Sequence, residues 1–548
     1  MTDRSSDPRQ PRRTGRGRDA RRSDDRRDDA RPSRPRDAHG RERSGSRGTG
    51  GPRRGWSQSR PSERSRTATP SRLAAYEAMR AVREDDAYAN LVLPTILRRH
   101  RVRGRDAAFA TELFYGTLRA QGRLDAVLAA CIDRPMEQVE AAVIDVLRLG
   151  AHQVLDMAVA PHAASSETVA LARQVVGAGA AGFVNAVLRR VGEHSSEEWI
   201  QRIAPAREDD EPAHLAIAHS HPLWVVRALS DALVAHGRDR SELESLLEAQ
   251  NEAPRVSLVM RPGLTDLDEL IDSGASAGRW SMFGASWPSG DPGGLDVIRE
   301  GRAAVQDEGS QLMALALGLG ADDLVLADDA HWLDLCAGPG GKTALLGGLT
   351  IDHNAELLAT ELQEHRTALV ERAVAALVDA GCEIQCLTAD GRTIGKDRPD
   401  TFSRVLADVP CTGLGALRRR PESRWRRRPE DVGQLGAIQR DLLTSALDAT
   451  APGGVVAYVT CSPHLAETRL VVADVLRRRS DVEQLDARDA VRAGVHPDKR
   501  DQIDLGDGPS VQLWPHIHGT DAMFIALLRR LPHPQAPTTC TAHEEDPS

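Results

Sequence analysis

Apolar positions along the chain change their spacing twice. Between residues 71 and 194 they recur at steps of three, four and seven. Val143, Ile144, Leu147, Val154 and Leu155 form one stripe, and Val169, Ala172, Val176, Val184, Val187 and Leu188 another. A helix of 3.6 residues per turn puts such positions on one face, so this stretch predicts an all-helical domain. Residues 195–300 read as a connector domain, with helical patterns at Trp224–Leu229 and Leu243–Ala249 and one short strand at Arg255–Arg261. The breaker-rich run Trp287–Gly294 that follows must be loop. From 301 to 531 short apolar runs alternate with helical stretches, predicting strands at 331–336, 356–361, 384–388, 404–408, 454–460 and 523–528. That rhythm predicts a Rossmann-like α/β domain, a mostly parallel sheet with helices on both faces. The fold class is thus multidomain: all-α, connector, then α/β.

The two ends read differently. Residues 1–70 carry 21 Arg, no Lys and 10 acids, a local +11 inside a chain whose net charge is −9. With almost nothing apolar besides Trp56, this stretch predicts a disordered Arg-rich tail suited either to a polyanion such as RNA or to keeping the chain in solution. Residues 532–548, rich in Pro, Thr and Glu, predict a second, frayed tail. A total of 548 residues is too long for one core, in keeping with about three domains. The 7 cysteines are few, irregularly spaced and free of any CxxC pair. That argues against a disulfide framework and a metal site and fits a reducing cytoplasm. With no apolar run long enough for a bilayer, a soluble protein with no membrane partner is expected, and a monomer.

Candidate chemistry sits at the ends of predicted strands, where open α/β sheets place their ligands. Cys411 closes the run Val405-Leu-Ala-Asp-Val-Pro-Cys411, and Cys461 closes Val455-Val-Ala-Tyr-Val-Thr-Cys461. Upstream, Asp334 is followed by Leu335, Cys336, Ala337, Gly338, Pro339, Gly340, Gly341, Lys342 and Thr343, a strand, a glycine turn and a helix start. Such a turn lets a ligand approach the backbone and offers it free N–H groups. Glu361 ends the next strand, where an acid can accept from a ribose diol, and Asp390 follows the third, suited to an adenine edge. Despite its Gly-Gly-Lys-Thr, the turn is not a phosphate-binding P-loop, because Cys336 stands where that motif needs its first glycine.

These residues resemble those of a known family. Asp334–Thr343, Asp408-Val-Pro-Cys411-Thr-Gly-Leu-Gly415 and Thr460-Cys461-Ser462 are similar to signatures of S-adenosylmethionine-dependent RNA 5-methylcytosine methyltransferases of the Nop/Sun family. Val305–Gln311, Arg418–Glu422 and Gly519–Phe524 match further blocks in the family's order, so the likeness spans roughly residues 220–530. Asp106–Arg119 and Gly182–Arg190 resemble a NusB-type RNA-binding domain, and the combination resembles the RsmB (Sun/Fmu)-type enzymes of 16S rRNA. Thr412 stands where the family often has Ser, and Glu467-Thr468 where Glu-Asn is more usual.

The resemblance implies S-adenosylmethionine at the glycine turn with Glu361, Asp390 and Asp408, and 16S rRNA as partner. It also implies Cys461 as the nucleophile, Cys411 as the group that assists adduct breakdown, and Asp408 as the group that stabilises charge on the base. The base must be unpaired or flipped to expose C5 and C6. Arg418, Arg419, Arg420, Arg424, Arg426, Arg427 and Arg428 crowd the segment after Cys411 and predict phosphate binding there. Two other readings stay open: methylation of tRNA or large-subunit rRNA, and a non-catalytic NusB-like RNA-binding or antitermination factor.

Overall fold

The structure, a computed structural model, describes residues 67–288 and 290–532. The expected tails lie outside these residues, apart from 67–70 and 532.

The helical stripes form what their spacing predicts. Among the described residues, seven α-helices run between Pro70 and Val191. The stripe of helix Ala141–Leu155 buries Val143, Ile144 and Leu147 against Leu113, Phe114, Leu124 and Leu128 of helices Gly104–Arg119 and Gln121–Cys131. Burying a large apolar side chain contributes about 1.5–3 kcal/mol, so this stripe, more than helix propensity, holds the bundle.

The connector begins with four further helices, Ser196–Ile203, Glu211–Ala218, Leu223–Ala235 and Leu243–Asn251. The first is fixed by a reciprocal cap, Ser195 accepting from the Glu198 N–H while the Glu198 carboxylate accepts from the Ser195 N–H. A four-stranded antiparallel sheet follows: β1 (Val256–Met260), β2 (Ser276–Ala277), β3 (Gly284–Trp287) and β4 (Ala303–Val305), in the order β2-β3-β1-β4. Only β1 was legible in advance. The other three are two to four residues long, too short to show an alternating pattern; β1 pairs β3 and β4, and β3 in turn pairs β2.

The α/β part has eight strands: β5 (His331–Asp334), β6 (Glu356–Glu361), β7 (Ile384–Thr388), β8 (Phe402–Asp408), β9 (Thr450–Thr460), β10 (Val482–Leu485), β11 (Val511–Gln512) and β12 (Phe524–Arg530). Their order is β10-β12-β9-β8-β5-β6-β7, with β11 paired to β12. The run from β9 to β7 is parallel, whereas β12 enters antiparallel between β9 and β10. Alternate side chains feed two cores, as a sheet covered on both faces requires. Trp332, Val455, Ala457 and Val459 face helices Glu308–Gly318 and Gly341–His353; Leu333, Val405, Val456 and Tyr458 face helices Pro429–Ala449 and Arg469–Arg478. No helix among the described residues is long and apolar enough to cross a membrane.

The arginine-rich segment after Cys411 corrects the phosphate-binding expectation. Arg424 is fully buried and donates to the backbone carbonyls of Arg119, Ser220 and Gln250 and to Asn251 Oδ1. Burial pushes its guanidinium down to about 9. Arg426 holds the carbonyls of Val82 and Ala87, and Glu422 accepts from the Ala89 N–H at 3.2 Å. Arg418 and Arg419 pair with Asp307 and Asp521. Arg424 and Arg426 tie the α/β part to the helical and connector parts, whereas Arg418 and Arg419 join distant segments within the α/β part. Charge density alone could not reveal this, because their partners come from segments some hundred or more residues away. Arg420 and Arg428 are exposed.

Candidate active site

Each functional side chain stands at the C-terminal edge of the parallel strands. Asp334 ends β5, Glu361 ends β6, Asp390 follows β7, Asp408 ends β8 and Cys461 directly follows β9. Strand order reverses between β5 and its two neighbours β6 and β8, so a crevice opens above β5, where doubly wound sheets bind ligands. The glycine turn is laid across this crevice. The Leu335 N–H donates to Leu406 O at 2.9 Å, the Ala337 N–H to Thr360 O at 2.9 Å, and the Gly340 N–H to Ala337 O at 2.7 Å. Gly341 and Lys342 open the helix Gly341–His353.

The acids divide into distinct environments. Asp334 is buried, and burial pushes its carboxyl up to about 7, although Thr343 donates to Oδ2 at 2.7 Å. Its Oδ1 is buried with no hydrogen-bond partner. Glu361, 5% exposed, accepts from the N–H of Gly338 at 3.1 Å and of Gln363 at 3.2 Å, and pairs with Arg366 at 3.3 Å. Asp390 accepts from the Arg392 N–H, caps the short helix behind it and pairs with the Arg392 guanidinium at 2.6 Å. Asp408 accepts from Lys342 Nζ at 2.8 Å. Burial works against the Lys342 charge, but Asp408, with Cys461 and Asp334 beyond it, holds the ammonium above its ordinary range.

The two thiols meet. Cys411 Sγ and Cys461 Sγ lie 3.3 Å apart at the ends of adjacent parallel strands. Their surroundings differ in sign. Cys461 is held below the usual thiol range by the hydrogen bond from Cys411, with Lys342 and Arg420 adding to it against burial. Cys411 is pushed well up by that same bond, by burial and by the nearby Glu467 carboxylate. A thiolate at Cys461 and a thiol at Cys411 is therefore the favoured distribution. Burial and the neighbouring Asp334 push the Cys336 thiol up as well, which leaves that side chain in a packing role.

Glu467 was not singled out in the sequence, and it joins both cysteine loops. It is fully buried; Oε1 accepts from the Thr412 N–H at 2.7 Å and from Gln439 Nε2 at 3.2 Å. Oε2 accepts from the Ser462 hydroxyl at 2.6 Å and from the Thr412 hydroxyl. Gln439 also donates to Pro410 O at 2.9 Å, one residue before Cys411. Both Thr412 and Ser462 adjoin a cysteine, so one carboxylate sets the spacing of the sulfurs. Its sequence signal was the Glu467-Thr468 pair, which stands where the similar family more usually has Glu-Asn.

The Cys411 loop is held from its other side too. The Gly415 N–H donates to Cys461 O, and the Ala522 N–H to Gly415 O, both at 2.9 Å. A Cβ on Gly415 would stand 2.1 Å from Ala522 O, so only glycine admits this approach. Asp307 adds its own link, accepting from the Asp521 N–H at 2.9 Å while pairing with Arg418 at 3.1 Å. The blocks Val305–Gln311, Arg418–Glu422 and Gly519–Phe524, distant in the chain, thus form one frame behind the thiols.

With this geometry in view, comparison with known proteins is decisive. Residues 322–529 match the family model of 16S rRNA methyltransferase RsmB/F, and residues 69–193 match that of the NusB family. A Pseudomonas putida protein named ribosomal RNA small subunit methyltransferase B is 31% identical over 77% of this chain and 92% of its own. The chain belongs to the 16S rRNA methyltransferase RsmB/F family. A Mycobacterium tuberculosis protein carried as a candidate methyltransferase is 49% identical over 85% of this chain and 98% of its own. The crystal structure of PH0851 superposes with a TM-score of 0.68 at 20% identity, covering 85% of this chain and 100% of that one, which shows the fold.

As an RsmB/F-family member the protein is an S-adenosylmethionine-dependent rRNA methyltransferase. The residues present fit that cofactor. The unpartnered Asp334 Oδ1 is a buried acceptor in the crevice, and a Cβ on Gly338 would fall 2.2 Å from Glu361 Oε2, filling the cradle between turn and acid.

Proposed function

We propose that this RsmB/F-family protein methylates C5 of a cytosine in 16S rRNA through a covalent adduct to Cys461. The observation that carries the reading is the pair of half-buried thiols 3.3 Å apart, polarised towards a Cys461 thiolate, beside the glycine turn. Ring-amine and hydroxyl groups of RNA need no thiol to become nucleophilic. A pyrimidine C5 does, because only addition at C6 makes C5 electron-rich.

The backbone of Leu335 to Lys342, with Glu361, Asp390 and Asp408, would hold S-adenosylmethionine, which supplies an electrophilic methyl group when bound. Glu361 would accept from the ribose diol in place of its contact to Arg366. Cys461 adds to C6 of an unstacked cytosine, and Asp408 hydrogen-bonds near N3, where charge accumulates. Lys342 orients Asp408 through its 2.8 Å hydrogen bond and favours the attacking thiolate. After substitution at C5, the C5 proton passes to solvent water, the C5=C6 bond reforms and the C6–S bond breaks, returning Cys461 as thiolate. Cys411, kept protonated in the free protein by its bond to Cys461 and by burial, with Glu467 adding to both, assists this release.

Bisulfite sequencing of rRNA and tRNA from a deletion strain tests the reading. One 16S cytosine loses its protection and regains it on complementation. A lost signal in tRNA or large-subunit rRNA instead would reassign the substrate, and no lost signal in any RNA would overturn C5 methylation.

A further inference from the structure

Tyr88 is the one aromatic among the exposed large apolar side chains of the described residues, 45% exposed. Soluble proteins bury such rings, and here every other described Phe, Tyr and Trp is at least partly covered. Tyr88 belongs to the helical domain, immediately before helix Ala89–Arg99, yet its ring meets the catalytic part. The Arg420 guanidinium lies 5.0 Å from the ring centroid and that of Arg426 lies 5.8 Å away. Arg426 is committed to Val82 O, Ala87 O and Asp86. Arg420 is exposed, has no acidic partner among the described residues, and stands close enough to the thiols to favour the Cys461 thiolate. Ring and guanidinium therefore form a two-domain lip whose Arg420 lies within electrostatic reach of Cys461.

The helix leading away from Tyr88 carries further cationic chemistry. Its ten residues to Arg98 span about 15 Å, and the turn beyond presents Arg101, Arg103 and Arg105. All three are exposed and without an ion pair among the described residues. On the other side of Tyr88, Asp85 is exposed and Asp86, also exposed, pairs with Arg426, so a polyanion is favoured on the Arg420 and Arg101–Arg105 side.

We propose that Tyr88 and Arg420 form a stacking lip for a nucleotide flanking the target base, with the Arg101–Arg105 turn receiving the phosphates that follow it. An unpaired RNA strand is the occupant this chemistry fits. Aromatic and guanidinium planes take splayed bases face-on, and free arginines follow the backbone. The helical domain on this view touches the substrate next to the reaction centre and does not merely raise the local concentration of RNA.

The experiment uses the full chain and a 16S rRNA fragment containing the modified cytosine. Tyr88→Leu keeps an apolar side chain against the helix but has no π face, whereas Tyr88→Phe retains the face without the hydroxyl. Tyr88→Leu raises KM for the RNA between about five- and a hundredfold, the range for losing one base–aromatic stack. Tyr88→Phe stays near wild type, and both bind S-adenosylmethionine as wild type does. Ultraviolet cross-linking of the unmodified wild-type chain to the same RNA places a covalent link at Tyr88. The inference rests on the reading of the chain as an rRNA methyltransferase, so absence of wild-type turnover overturns both. Wild-type turnover with an unchanged KM in Tyr88→Leu, or cross-links that avoid Tyr88, overturns this inference alone.

Discussion

Glu467 and Thr412 are joined twice, through the Thr412 N–H at 2.7 Å and through its hydroxyl, across 55 residues of sequence. The same carboxylate takes the Ser462 hydroxyl at 2.6 Å. One buried charge thereby clamps the residues next to both cysteines and faces Cys411 with negative potential. Glu467→Ala leaves the Thr412 N–H, the Thr412 hydroxyl and the Ser462 hydroxyl without this acceptor, while Gln439 Nε2 keeps Pro410 O. At about 1–3 kcal/mol for each buried group left unpaired, the total cost is several kcal/mol. Chemical denaturation checks it. Glu467→Gln retains the shape and loses the charge, and its smaller loss of stability accompanies slower adduct breakdown, read in single-turnover assays.

The two thiols are expected to fail in different ways. Cys461→Ala abolishes turnover and any covalent RNA complex. Cys411→Ala still attacks and then stalls, giving a protein–RNA adduct that survives denaturing electrophoresis and vanishes in the double mutant. An adduct trapped in Cys461→Ala and absent from Cys411→Ala would reverse the assignment.

The electrostatic sorting of the thiols has a pH consequence. Lys342 contributes to the lowered proton affinity of Cys461 beside the dominant hydrogen bond from Cys411, so its removal shifts that affinity upward. In Lys342→Met the thiolate persists only at higher pH, and the alkylation rate of Cys461 by iodoacetamide rises later on the pH axis than in wild type. Mass spectrometry of the Cys461 peptide separates it from the other cysteines. A profile identical to wild type would remove Lys342 from this role.

At the cofactor crevice, Glu361→Ala weakens S-adenosylmethionine binding by about 1.5–3 kcal/mol, the range for a charged hydrogen-bond partner. Calorimetric titration measures it. Because Glu361 also holds the Gly338 N–H and Arg366, Glu361→Gln separates the loss of charge from the loss of the turn's anchor. An unchanged dissociation constant in both variants would exclude the ribose role.

Arg424 and Arg428 offer a contrast within one basic run. Arg424→Ala removes the donor to three buried carbonyls and Asn251, at about 1–3 kcal/mol for each buried group left unpaired, and lowers the midpoint of thermal unfolding. It leaves the salt dependence of RNA binding unchanged, since a buried side chain releases no counterions from RNA. Arg428→Ala leaves stability near wild type. A decrease of about one in the salt slope for Arg424→Ala would restore the phosphate-binding reading of that residue.

Local pattern was enough for much of this protein. The helical stripes, the alternation of strands and helices, the glycine turn and the strand-end positions of Cys411, Cys461, Asp408 and Glu361 were all legible, because each depends on periodicity or on a few adjacent residues. What could not be read locally was decided by pairing across distance. The short strands β3 and β4 owe their existence to pairing with β1, and β2 to pairing with β3, not to their own sequences. The arginines after Cys411 looked like a phosphate surface, yet four of them found carbonyls and acids from remote segments, and Arg418 and Arg424 were buried with theirs. Glu467 resembled any loop acid until the fold placed Thr412, Ser462 and Gln439 around it. The 3.3 Å between the thiols and the opposite electrostatics on its two sides arise only when β8 and β9 lie side by side. Charge and hydrogen-bonding capacity are properties of a residue; the partner that satisfies them, and hence whether they serve stability or chemistry, is a property of the folded chain.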